Sequence, residues 1–113
     1  MPVELTKAFA FSASRSEGER VLGRNYVLKL TLEAVPESAE GELERIVEAS
    51  LISKIHSRDL GEVHFLSGIP KDDAGLLRVF ADILRAGLGA YRLRRLSLER
   101  DSRTTTTLDL VNG

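Results

Sequence analysis

The chain has 113 residues, 42% hydrophobic and 29% charged, with a formal net charge of −1. That balance excludes collagen-like, disordered and globally basic nucleic-acid-binding classes, and it fits one domain, residues 1–113, with a core of its own. There is no cysteine, and the only histidines are His56 and His64, which removes disulfides, thiolate chemistry and imidazole-rich metal sites. No run approaches the ~18 consecutive apolar residues of a membrane span. The N-terminal stretch lacks a basic segment followed by an apolar one, so a cytoplasmic protein without membrane partners is expected.

Val3 to Ala13 alternates, with Val3, Leu5, Phe9, Phe11 and Ala13 on one face and Lys7 as the exception. This period of two predicts a half-buried strand. Ser14 to Arg24 is polar and reads as a loop. A second strand follows from Asn25 to Glu33, with Tyr26, Leu28, Leu30 and Leu32 on its apolar face, and Pro36 lies beyond its end. Ser38 is the expected N-cap of a helix whose stripe is Leu43, Ile46, Val47, Leu51 and Ile55, ending near Gly61. Glu40, Glu42 and Glu44 suit the positive end of its dipole. Asp72 and Asp73 open a second helix through Leu76, Leu77, Phe80, Ile83, Leu84 and Leu88, which Gly87 and Gly89 bring to a stop.

The rest reads as β structure. Tyr91 and Leu93 share one parity and Leu96 and Leu98 the other, so a bulge or a strand start is expected near Arg94. Arg100 to Arg103 is a hairpin connection, and Thr104 to Val111 a threonine-rich last strand. The order ββααββ predicts an α+β fold, a four-stranded antiparallel sheet with two helices on one face. Its open edges favour self-association.

Four segments carry a resemblance to a known family. Phe11-Ser12-Ala13-Ser14 resembles the Phe-Ser-Ala-Ser-His motif of the 6-pyruvoyl-tetrahydropterin synthases and the related 6-carboxy-tetrahydropterin synthases of the queuosine pathway. Leu22-Gly23-Arg24-Asn25-Tyr26 is similar to their His-Gly-His-Asn-Tyr motif. Arg58-Asp59-Leu60 resembles the segment after their Asp-His pair, and Leu96-Ser97-Leu98-Glu99 their late strand ending in glutamate. The resemblance implies the tunnelling fold (T-fold), a trimeric or hexameric homo-oligomer, and pterin sites between subunits.

It also implies a zinc triad and a catalytic cysteine, and here the residues depart. The three zinc-binding histidines correspond to Arg15, Leu22 and Arg24, and the cysteine falls at about Gly18. Neither leucine nor a guanidinium that stays protonated serves as a zinc ligand. Cofactor: none is expected, and no metal site. The catalytic histidine aligns with Ser57, with His56 in the aspartate's place; a shift of one residue makes His56 the histidine and Ile55 the aspartate. His56 is thus the one catalytic candidate, as a general acid or base.

Glu99 matches the residue that anchors the pterin ring, and a carboxylate there accepts from the paired N–H groups of a pterin- or purine-like ligand. Alternatively it pairs with Arg100 or Arg103. Arg15 and Arg24 either bind an anionic ligand group in place of zinc or pair with Glu17 or Glu19. Arg92, Arg94, Arg95, Arg100 and Arg103 lack interleaved aromatics and alternate between faces, which indicates ion pairs rather than a nucleic-acid surface. The expected function is therefore that of a synthase-like protein without zinc-dependent lyase activity, binding a pterin- or purine-like ligand through Glu99. The alternatives are an assembly partner of an active paralogue and a metal-free pterin-processing enzyme.

Overall fold

The structure, a computed structural model, describes residues 3–110. Strands β1 (Glu4–Glu17) and β2 (Arg20–Glu33) form one antiparallel hairpin in unbroken register, from Glu4 opposite Glu33 to Glu17 opposite Arg20. At a rise of about 3.3 Å per residue this ribbon spans the long dimension of a molecule 48 × 25 × 24 Å in extent. The expected loop at Ser14 to Arg24 is thus corrected: it is the continuation of both strands, closed by Gly18 and Glu19. Gly18 has φ +65°, the first central position of a type II′ hairpin, where glycine avoids a Cβ clash. The segment looks like a loop because its inward positions carry charges that find partners in the fold.

The first helix is α1 (Glu40–Val47), continued by a π-helical turn (Glu48–Ile52) and a last turn (Ser53–Ile55). Ser38 is not its N-cap; it lies inside a 3-10 turn, Glu37–Ala39, that follows Pro36. Within the helix the Ser50 hydroxyl donates to the Ile46 carbonyl at 2.6 Å, a back-bond that competes with the regular ladder where the helix widens. The helix ends at Ile55 rather than near Gly61, because His56 turns extended and Ser57 takes φ 60°. Strand β3 (Arg58–Asp59) follows.

Helix α2 (Asp73–Leu88) is capped by Asp72, whose carboxylate accepts the Gly75 N–H at 2.8 Å. Gly89, at φ 59°, ends it. Gly87 lies within the helix instead of stopping it; a Cβ there would sit 3.3 Å from the Ser50 hydroxyl, so glycine lets the two helices approach closely. Strands β4 (Arg92–Arg100) and β5 (Thr104–Asp109) complete the sheet. Thr31 pairs with Arg95 and Leu32 with Leu93, leaving Arg94 as the extra residue of a bulge at the expected phase change. The last strand stops at Asp109; Val111, expected in it, lies outside the described residues.

The fold is α+β, with a five-stranded mixed sheet in the order β3-β1-β2-β4-β5. The expected four-stranded antiparallel sheet is corrected by β3, which pairs parallel to β1 at Ala13 and Ser14. Two residues carry no period for a sequence to display. Phe9, Phe11, Tyr26, Leu28, Leu96 and Leu98, all from one face of the sheet, join Leu51, Ile55, Leu76, Phe80 and Leu84 of the helices in one core. Phe11 stacks on Tyr26 with centroids 4.9 Å apart and meets Phe80 edge-on. Lys7, the apolar face's exception, reaches out to Glu44 at 2.6 Å and Glu40 at 3.3 Å on α1. The opposite face, with Ala8, Ala10, Ser12, Asn25, Ser97 and Glu99, carries no helix among the described residues.

Candidate functional site

The inner face of the β1–β2 hairpin continues past the aromatic core into charge. Arg15 is 7% exposed and held by three hydrogen bonds. Its Nη1 donates to Asp73 Oδ1 at 2.7 Å and to the Lys71 carbonyl at 3.1 Å, and its Nε to Glu17 at 3.1 Å. The second oxygen of Asp73 accepts Arg100 Nε at 3.1 Å. Arg24 grips Glu17 with two bonds of 2.7 and 2.6 Å and Asp101 with a third of 2.9 Å. Such forked contacts are the strong form of the arginine–carboxylate pair. They hold the Glu17 carboxyl down to about 2, the Arg24 fork being the largest cause, and raise Arg24 further still.

Asp101 owes its place to a tight turn. It and Ser102 adopt φ 53° and 59°, and Arg103 N–H bonds back to the Arg100 carbonyl at 3.1 Å, a type I′ geometry in which aspartate is tolerated. Its carboxylate also accepts the Asn25 N–H at 2.9 Å, and this bond is the first cause of its lowered pKa. Tyr26 lies beside the cluster at 1% exposure, its hydroxyl unpaired and its pKa raised mainly by burial.

Of the two roles open to Arg15 and Arg24 in the sequence, an anionic ligand group or a neighbouring glutamate, the fold shows both paired with Glu17. Their further partners, Asp73 and Asp101, carry no such mark in the local sequence of the arginines. The available signal was the Asp72-Asp73 pair: Asp72 caps α2, leaving Asp73 free to turn inward and meet two arginines.

Glu99 stands on the other face of the sheet. In register it lies between Val27 of β2 and Thr105 of β5, and it is half-buried. Among the described residues its carboxylate has no hydrogen-bond or ion-pair partner; Arg100, the alternative partner, points through the sheet to Asp73. One chain therefore separates Glu99 from Arg15 and Arg24, and it sets Glu99 on the same side as His56.

His56 sits at the free edge of β1. The Ser12 N–H donates to its Nδ1 at 3.1 Å, and the Ser12 carbonyl accepts Ser57 N–H at 2.6 Å. The Ser12 hydroxyl donates to Asn25 Oδ1 at 2.9 Å. A depression of about 210 Å³ lies over these groups, bounded by Ala10, Ser12, Asn25, Val27, His56 and Ser102. A neighbouring one of about 290 Å³ shares Ser12 and Asn25 and extends to Ser57, Arg58 and Asp59. His64 is elsewhere, beside Lys54, Arg58 and Phe65.

Zinc does not fit the positions that the resemblance assigns to it. Arg15 and Arg24 offer only donors, committed to carboxylates, and Leu22 offers none. Among the described residues no three His, Asp or Glu side chains group so as to hold a metal ion. Nor is any described helix long and apolar enough to cross a membrane. Compared with protein-family models and with curated proteins, the chain matches none.

Proposed function

We propose that this chain is a divergent relative of the 6-pyruvoyl-tetrahydropterin synthases, built on the tunnelling-fold pattern, that binds a pterin- or purine-like heterocycle through Glu99 and performs no zinc-dependent lyase reaction. The observation that carries this reading is the half-buried carboxylate of Glu99, which among the described residues has no hydrogen-bond or ion-pair partner and no helix over its sheet face. In register Glu99 stands between Val27 of β2 and Thr105 of β5, with Ser97 two residues back on β4 and Ala10 of β1 one strand beyond Val27. A carboxylate at that position accepts two N–H groups from one edge of a heterocycle. The arginines in the zinc positions fill the inner face with ion pairs and leave recognition to the outer one.

Assembly is part of the proposal. The outer edge of β5 carries no strand partner among the described residues, and β3 covers β1 only at Ala13 and Ser14. Unpaired edges of this length favour pairing with further copies, which supports a homo-oligomer, trimer or hexamer, whose outer faces would enclose the ligand. The same edges support a second reading, a subunit that co-assembles with an active paralogue. A cytoplasmic location suits a chain whose stability needs no disulfides.

Isothermal titration of pterin and of guanine into the whole protein tests the function. Binding is expected, with at least a tenfold loss of affinity in Glu99→Gln, since each charge-assisted bond lost is worth about 1.5–3 kcal/mol. Binding that survives the substitution unchanged contradicts the anchor. Light scattering on the same samples gives the assembly state.

A further inference from the structure

We infer that the free edge of β1 and the acidic side of α1 form a groove that takes a basic, extended segment of a different polypeptide as an added strand. The inference is independent of Glu99, and of the two assembly readings it specifies the one that joins a different chain. The Ser12 N–H donates to His56 Nδ1 at 3.1 Å, and the Ser12 carbonyl accepts the Ser57 N–H at 2.6 Å. The backbone groups of Ser12 thus face away from β2. Register along β1 is unbroken, and alternate residues of a strand point their backbone groups the same way. Those of Thr6, Ala8 and Ala10 therefore face the same edge. Among the described residues no strand pairs there, since β3 meets β1 only at Ala13 and Ser14. His56 and Ser57 close the edge at Ser12. The open stretch, residues 4–10, is about 23 Å long at 3.3 Å per residue. It carries neither a proline nor a bulge to discourage pairing, and its one lysine, Lys7, is turned inward to α1.

A helix walls this edge. Lys7 meets Glu40 and Glu44 at one end and Ser12 meets His56 at the other, so α1 and its continuation run alongside β1. Between them lies a depression of about 390 Å³, lined by residues 6–10 of β1 and by Glu44 and Glu48 of the helix. Glu40, Glu44 and Glu48 follow one another at intervals of one turn, and Lys7 is the one cation paired with this row among the described residues. Glu48 is exposed and has no hydrogen-bond or ion-pair partner among them. Carboxylates one turn apart are separated by about 6 Å along a helix, and alternate side chains of a strand by about 6.6 Å. Lysine or arginine at every second position of an added strand matches that row. Main-chain bonds to β1 supply affinity, and the acidic wall supplies specificity. The chain's own strands do not meet the requirement. β5, the other long strand with a free edge, contains neither lysine nor arginine and ends in Asp109. A second β1 would bring its own Glu44 and Glu48 against these, and like charges facing one another oppose pairing.

The probe is a heptapeptide of alternating valine and arginine, acetylated and amidated at its ends, with its glutamate counterpart as the control. Titrated into the whole protein, the arginine peptide is expected to bind about tenfold more tightly or better, and Glu48→Lys should remove most of that preference. Glu48 is exposed and unpaired, and circular dichroism verifies that the variant folds. Amide hydrogen exchange reads the backbone half of the site. With the arginine peptide bound, exchange at Thr6, Ala8 and Ala10 should slow about tenfold or more, while Lys7 and Phe9, whose backbone groups face β2, stay as they were. Failure of the arginine peptide to bind, equal binding of both peptides, or binding without slowing at Thr6, Ala8 and Ala10 overturns the inference. Slow exchange at those three amides in the protein alone, lost on dilution, shows another copy on the edge and overturns it as well. None of these results bears on Glu99, which pterin titration tests separately.

Discussion

Arg15 and Asp73 are 58 positions apart in the chain and 2.7 Å apart in the fold. Their bond ties the outer part of the β1–β2 hairpin to the first turn of α2, and Arg100 brings β4 to the same carboxylate. Where the resemblance expects metal ligands, the chain holds an ionic cross-link among three elements.

Both partners are nearly buried, Arg15 at 7% and Asp73 at 8% exposure. Removing Asp73 takes the shared carboxylate from both Arg15 and Arg100 and leaves Arg15 only Glu17 as an ionic partner, a loss at the lower end of the about 3–5 kcal/mol of broken buried pairs. Asp73→Ala should lower the unfolding free energy by about 3 kcal/mol in urea titrations. Arg15→Met combined with Asp73→Leu should recover much of that loss, because no buried charge of the pair is then left alone.

Acid stability should report the Glu17–Arg24 fork. The Glu17 carboxyl is lowered from 4.5 to about 2, and Asp101 is lowered too. A depressed carboxylate stabilises the fold fully above its unfolded value, and that contribution disappears as pH falls through the folded one. Stability should thus decline from about pH 4.5 towards pH 2. Glu17→Gln should be less stable at neutral pH and show a shallower decline over the same window, measured by denaturant titration at stepped pH.

Gly75 leaves no room for a side chain. A Cβ there would overlap the Pro70 carbonyl oxygen and lie 2.9 Å from Asp72 Oδ1, the capping atom of α2. Gly75→Ala should destabilise by about 1–3 kcal/mol despite the better helix propensity of alanine. Thermal unfolding gives the sign directly.

Ala34, just past β2, takes φ 53°, a conformation costing an L-residue about 1–2 kcal/mol that glycine avoids. Its side chain is exposed, so nothing is lost with the methyl group. Ala34→Gly should raise stability by about 1 kcal/mol, read from the urea midpoint at unchanged slope.

The core strands and both helices were legible because their apolar residues recur with clear periods. Even the Arg94 bulge showed as a change of phase between Leu93 and Leu96. The hairpin arms beyond Ala13 were not legible, since Arg15, Glu17 and Arg24 occupy inward positions that look like loop composition until Asp73 and Asp101 supply their partners. Strand β3 was too short to show a pattern. Glu99 and His56 could each be singled out from the sequence. That they share one face, and that Arg15 and Arg24 lie on the other, depends on sheet register.

The proposed heterocycle site is tested most directly by nuclear magnetic resonance, with pterin titrated into the isotopically labelled protein. The account predicts saturable shifts at Ala10, Ser12, Asn25, Val27, Glu99 and Thr105 on the outer face, with the Arg15, Arg24 and Asp73 signals unmoved. Saturable shifts centred on Arg15 and Arg24, with Glu99 and Val27 unmoved, would contradict it.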